Sequence, residues 1–455
     1  MRVDARAVAE LADVRRRIMR LRSSSGATVP PDVTRAAREV VLIGSSSRGG
    51  SSIFAEVLRR SRGLLHFRAE INPFLRLHGA AGGDSDAVPA DHPLPGGLGV
   101  DLGWDCGQPT ERLVGAAEEW AFAVEITVRL TLQWPTLVFD LDEVHDAVQD
   151  VLGDLRRHAG WPPDTFPDPQ PFHARLLARL RRRWPELHPG AYDLDRRLVA
   201  AHCPSPFPGP VGPDGVGVYL PDPGAIPSLI EEPPFVLVTP WRVATEEQLG
   251  DHPLIIKTPS NAYRIAWLRR LFGAAQVRVL HLVRNVAASV NGLYDGWRYP
   301  GFHAHPVAEP LTIRGYSEAV PGGAHWWKFD RPPGWQDWTG APLEQVCAFQ
   351  WRSAHAHLLA TAGPDRFRLR FEDVLGPPQR QRPALVALGR WLGVHVADEL
   401  AQVLAGALPV VMATEQPRHR RWFDRISLLG PLLADPAHRS LMEALGYDTD
   451  PETWE

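Results

Sequence analysis

Between an apolar run and a helical stretch the chain reads Ser45–Ser46–Ser47–Arg48–Gly49–Gly50–Ser51–Ser52. Gly49 and Gly50 let the backbone approach an anion closely and take turn conformations closed to other residues. Ser51 and Ser52 add hydroxyl donors to the free amides of a first helical turn, so the chemistry that this spacing suits is oxyanion binding. A nucleoside-triphosphate P-loop carries a lysine directly before its Ser/Thr. Here Gly50 holds that place and Arg48 precedes the glycines. The loop therefore offers no lysine to a β/γ-phosphate and no evident magnesium chemistry, and a 5′-phosphate without a γ-phosphate suits it better.

The elements that would position this loop are legible on both sides. Glu39–Ile43 is an apolar run of strand length, and the pattern from Phe54 to Arg60 is helical, giving strand, loop and helix. Gly63–Phe74 predicts a second short strand that leaves Glu70 at its end. Strand carboxyl ends line the ligand crevice of a doubly wound sheet, which puts Glu70 beside the loop. Phe235–Val238, Leu254–Ile256 and Val277–Leu282 read as further buried strands, with a helix over Arg264–Phe272. The alternation predicts a parallel sheet. Lys257 ends one of these strands, and it is one of only two lysines, the other being Lys328, against 47 arginines. So skewed a background makes Lys257 an unlikely arbitrary choice of basic residue.

The loop, Glu70, Ile255–Ile256–Lys257–Thr258–Pro259 and Val279–Leu280–His281–Leu282–Val283–Arg284–Asn285 together resemble the sulfotransferases that depend on 3′-phosphoadenosine 5′-phosphosulfate (PAPS), in order and in approximate distance. The resemblance covers residues 37–78 and 235–450. It implies a P-loop-like α/β fold, PAPS as donor, adenosine 3′,5′-bisphosphate (PAP) as product, no metal, and in-line transfer of a sulfuryl group to a small-molecule hydroxyl or amine. Such a reaction needs a held donor, a proton acceptor and a charge on the bridging oxygen.

By that resemblance Arg48, Gly49, Gly50, Ser51 and Ser52 bind the 5′-phosphosulfate, with Arg48 also facing the sulfuryl group or the acceptor. Lys257 reaches the bridging oxygen, and Glu70 matches the carboxylate base. His66 is the rival base, since imidazole titrates nearer neutrality and strand alternation puts it on the face of Glu70. The plainer alternatives are an ion pair for Lys257, and for Glu70 a helix cap or a partner of Arg68 or Arg76. Arg284 matches the arginine that binds the 3′-phosphate. The partner serine of the family lies eight positions on, where this chain has Gly292, and the available hydroxyl is Ser289. Arg418, Arg420 and Arg421 lie in a late basic loop that resembles the segment closing over the 3′-phosphate.

Composition bounds the rest. The chain has 455 residues, 44% of them hydrophobic, ample for a large core. A net charge of −4 gives no footprint for nucleic acid or an anionic membrane, and no 18-residue apolar run occurs. Cys106, Cys203 and Cys347 are scattered, so neither a disulfide framework nor a zinc site is indicated, and a reducing cytoplasm is the expected setting. Rich Ala, Arg, Pro and Gly suggest a bacterial genome. The His303/His305 and His355/His357 pairs lack a third ligand and read as structural.

The expected organisation is an N-terminal helix (1–36), a first core part (37–78), an inserted helical and Pro-rich lid (79–234) and the remaining core (235–455). Within the insertion, 79–104 reads as a mobile loop, Thr110 as the cap of a helix to Gln133, and 204–234 as a structureless connection. Residues 296–340 read as a long aromatic loop. The sulfotransferase reading points to specialised-metabolite tailoring. A nucleotide-dependent kinase and a non-catalytic nucleotide-binding scaffold are the alternatives.

Overall fold

Val40, Val41, Leu42 and Ile43 are all buried, as a strand covered on both faces requires. The structure, a computed structural model, describes residues 5–81, 83–185, 187, 238–299, 302–320, 322–406, 413–414, 417–448 and 450–454. The strands are β1 (Glu39–Gly44), β2 (Leu65–Phe67), β3 (Cys106–Pro109), β4 (Trp241–Val243), β5 (Leu254–Lys257), β6 (Gln276–Val283), β7 (Ala304–Pro306), β8 (Trp326–Lys328) and β9 (Phe367–Arg370). Among the described residues the main sheet runs β4-β3-β2-β5-β1-β6-β9. From β2 to β9 all neighbours are parallel, while β3 and β4 extend the edge antiparallel.

Helices cover both faces, so the protein is α/β with a mostly parallel sheet. Val40 and Leu42 pack with Val14, Ile18, Phe74, Trp267 and Leu268, whereas Val41 and Ile43 pack with Phe54, Val57, Leu58, Leu385 and Leu388. β1 lies centrally between β5 and β6, with Ile43 level with Lys257 and with Leu280. The carboxyl ends of these strands, and the turns that leave them, therefore converge at one edge. Asn261 ties two of them by donating to the carbonyls of Ile256 (3.1 Å) and Ile43 (3.4 Å).

Three expectations need correction. The stretch 79–104 is packed, not a free lid: Leu98 and Leu102 join the core, and the buried Asp86 carboxylate accepts from Ser260 Oγ and the Arg331 amide. The expected insertion also supplies β3 to the main sheet, and the helix to Gln133 begins at Gly115 because Pro109 and Thr110 leave a strand. Its helices Gly115–Gln133, Leu141–His158 and Pro169–Leu180 do share a core of their own, built on Phe122, Leu130, Leu152 and Phe172. The aromatic stretch 296–340 is folded around the β7–β8 hairpin, with Trp297 and Trp327 fully buried beside Trp351. The Pro-rich connection 204–234 and most of the expected strand at 235–238 lie outside the described residues, and Val238 itself is not in a strand.

Candidate active site

The turn after β1 is shaped by two left-handed residues, Arg48 at φ 60° and Gly50 at φ 89°. The helix Ser51–Leu58 starts directly after Gly50. A Cβ on Gly49 would stand 2.3 Å from Ser45 Oγ, and one on Gly50 would stand 2.1 Å from the Phe371 ring, so crowding demands both glycines. Ser45 and Ser46 are buried, and their hydroxyls meet no hydrogen-bond partner among the described residues. An unsatisfied buried hydroxyl costs roughly 1–3 kcal/mol. Two such hydroxyls beside a glycine turn and the first amides of a helix offer donors of the kind an oxyanion accepts from.

Glu70 lies three residues beyond β2, where the chain bends into the helix Asn72–Leu77. Lys257, the last residue of β5, donates to Glu70 Oε1. The pair is nearly enclosed, with side-chain exposures of 12% for Lys257 and 5% for Glu70. Arg264, fully buried, also feels the Glu70 charge. An acid and a base thus stand together at the edge where the loop leaves β1.

His66 is placed differently. It is level with Ile255, one pleat below Lys257, buried against the end of the loop helix near Leu58 and Arg59. Burial and the Arg59 charge push its imidazole down to about 3. The strand ends at Phe67, so the alternation expected to align His66 with Glu70 does not run that far.

Arg284 meets the loop directly. Its Nη1 donates to the Arg48 carbonyl at 3.4 Å, and its guanidinium rests 4.6 Å from the centroid of Phe371, the ring that crowds Gly50. Burial lowers its proton affinity while nearby Glu372 opposes the shift. Glu372 accepts from the Asn285 amide and side chain and from the Tyr447 hydroxyl, fixing the turn that carries Arg284. Asn285 also caps the helix Val286–Arg298.

Arg48 turns out of the loop. Its Nε donates to the Gly292 carbonyl at 3.3 Å and its guanidinium covers Phe302 at 4.7 Å. A Cβ at 292 would come within 3.4 Å of the Arg48 Cβ, so the glycine eight positions after Arg284 borders this arginine. Ser289 is fully buried on the same helix, with its hydroxyl meeting no partner among the described residues. The late arginines separate: Arg421 and Arg425 both hold Asp295, and Arg421 is near enough to depress Arg284. Arg418 pairs with Asp424 at the surface, and Arg420 donates to the Trp454 carbonyl.

Sequence reasoning missed several residues here. Ser45 and Ser46 were visible as hydroxyls ahead of the glycines. Phe371 ends the alternating run Phe367–Phe371 and Asp295 sits on the helix that follows Arg284, yet neither carries a local signal of its contact with the loop or with the late arginines. His303 and His305 form a buried pair with ring centroids 4.5 Å apart, and His303 Nε2 contacts Arg76. His281 and His355 share a 2.9 Å contact. No described helix is long and apolar enough to cross a membrane.

Fold and site together define an α/β protein with a lysine-free glycine–serine turn at the carboxyl edge of a parallel sheet. No family model matches the chain, and no curated protein does. Two solved structures are similar to it. One is the sulfotransferase domain from the curacin biosynthetic pathway, 12% identical with a TM-score of 0.37, covering 90% of this chain and 98% of that domain. The other is the sulfotransferase domain of the Synechococcus PCC 7002 olefin synthase, 14% identical with a TM-score of 0.33, covering 90% of this chain and 96% of that domain.

Proposed function

We propose that the protein is a PAPS-dependent sulfotransferase acting on a hydroxyl or amine of a small molecule. The observation that carries this reading is the Lys257–Glu70 ion pair at the strand end beside a lysine-free phosphate loop. Sulfuryl transfer calls for a proton acceptor next to a cation, and phosphoryl transfer from a nucleoside triphosphate calls for a loop lysine that this chain lacks.

Bound PAPS would supply an activated sulfuryl group. Ser45, Ser46, Ser51, Ser52 and the amides around Gly49 and Gly50 would hold its 5′ end, and Arg284 with Arg421 its 3′-phosphate. Glu70 would take the acceptor proton on a carboxylate oxygen. Lys257, bonded to that carboxylate, would hold it in place and offer its ammonium to the negative charge that gathers on the bridging oxygen. The partly buried setting strengthens both effects relative to water.

The test is thermal unfolding with PAP in the presence of a chelator, set against ATP with magnesium. A ligand at 100 times its dissociation constant stabilises by about 2.7 kcal/mol. Stabilisation by PAP without metal, followed by labelled sulfate transfer from PAPS to small acceptors, is the expected result. Stabilisation by ATP with magnesium alone would overturn the proposal.

A further inference from the structure

Asp330 follows β8 in the aromatic segment, yet its side chain lies behind the phosphate loop. Its Oδ1 accepts from Ser47 Oγ at 2.5 Å and its Oδ2 from the Tyr263 hydroxyl at 3.1 Å. Three segments distant in sequence thus meet on one buried carboxyl: the loop, the turn after β5, and the segment beyond β8.

The main chain is held to place it there. The Asp330 carbonyl accepts from Trp327 Nε1 and from Gln350 Nε2, both at 2.9 Å. Phe329, just before it, takes φ 64°, a left-handed conformation that costs a non-glycine residue on the order of 1–3 kcal/mol. The Phe329 ring packs directly on Gly296, where a Cβ would stand 2.4 Å from its Cζ, and lies 5.3 Å from the Phe302 ring. Burial pushes the Asp330 carboxyl up to about 6, with Asp86 adding to the shift and the Ser47 and Tyr263 hydroxyls opposing it. A carboxyl kept where its charge is penalised, on a strained backbone, does more than fill space.

We propose that Asp330 is a positioning residue for the phosphate loop, fixing Ser47 and through it the Ser45–Gly50 turn in the shape that receives the donor. This rests on the reading that the turn binds PAPS. Asp330 touches neither donor nor acceptor in this scheme. Its effect falls on donor affinity, and the aromatic segment and the loop become one unit.

The test measures PAP affinity by calorimetry and the donor KM and kcat by sulfate transfer. Asp330→Asn keeps the shape, one acceptor oxygen and a similar volume. It should weaken PAP binding and raise the donor KM by about tenfold, the loss of one charge-assisted hydrogen bond. Its kcat at saturating donor should stay within about threefold, the signature of lost ground-state binding. Thermal stability without ligand should not fall. Ser47→Ala should give the same affinity loss, and the double variant little more. If Asp330→Asn does not fold, Ser47→Ala decides alone. Variants that bind PAP as the parent does, or that lose kcat and stability with affinity intact, overturn the assignment and leave the proposed function standing. A parent protein that fails to bind PAP at all defeats the proposed function and this inference with it.

Discussion

Lys257 and Glu70, from two different strand ends, form a single ion pair at the edge of the loop. The consequence is that a substitution at either residue also changes the surroundings of the other. Glu70→Gln keeps a hydrogen-bond acceptor for Lys257 but removes the proton acceptor. It should lose roughly 10²–10⁴-fold in turnover with PAP affinity kept, checked by steady-state kinetics and calorimetry. Full activity would remove Glu70 from the chemistry. The base would then have to be the acceptor itself, because His66 is enclosed and held near 3.

Lys257→Ala leaves a nearly enclosed carboxylate without its cation. Turnover should fall about 10²–10³-fold, more than donor affinity does. Added to Glu70→Gln, it should cost less than the sum of the two, because the residues share one interaction. Equal losses in turnover and affinity would make Lys257 a binding residue. The double-mutant cycle, read on kcat, checks this.

Arg284→Ala removes the cation that leans on Phe371 and bonds the Arg48 carbonyl. PAP affinity should fall about ten- to a hundredfold, the equivalent of roughly 1.5–3 kcal/mol. Adenosine 5′-monophosphate, which lacks the 3′-phosphate, should bind both forms equally. Arg421→Ala should weaken PAP in the same sense. Arg418→Ala should change nothing measurable, since its pair with Asp424 is exposed. Unchanged PAP affinity in Arg284→Ala would reject the 3′-phosphate assignment.

The strands nearest the site were legible because local pattern decides them. Glu39–Gly44, Leu65–Phe67, Leu254–Lys257 and Gln276–Val283 all fall where apolar runs predict them. β3 was not legible, since Cys106–Gly107–Gln108–Pro109 has no strand pattern and pairs only because β2 offers a free edge. The packing of residues 79–104 was hidden for a related reason. Their Gly- and Pro-rich composition suggests freedom, while Asp86, Leu98 and Leu102 anchor them through contacts with partners far along the chain. Asp330 was invisible in the same way, for its meaning lies wholly in a bond to Ser47, 283 residues away.

The buried histidines set how the fold responds to acid. Burial holds His66, His173 and His355 each near 3, so they stay neutral in the folded chain down to low pH. In the unfolded chain they take up protons near 6.5. Between those values the unfolded state binds more protons, and stability therefore falls as pH drops. Asp330 acts in the opposite direction, because its folded carboxyl, at about 6, binds a proton before the unfolded one does. Burial holds His281, His303 and His305 well below their ordinary value too, so the histidines outweigh the one carboxyl and stability should fall by at least about 3 kcal/mol per pH unit near pH 5.5. Thermal midpoints measured from pH 7.5 to 5 should show this decline, and His66→Gln should make it shallower by about one proton. A midpoint that stays flat over that range would mean that these imidazoles are charged, or reachable by water, in the folded protein.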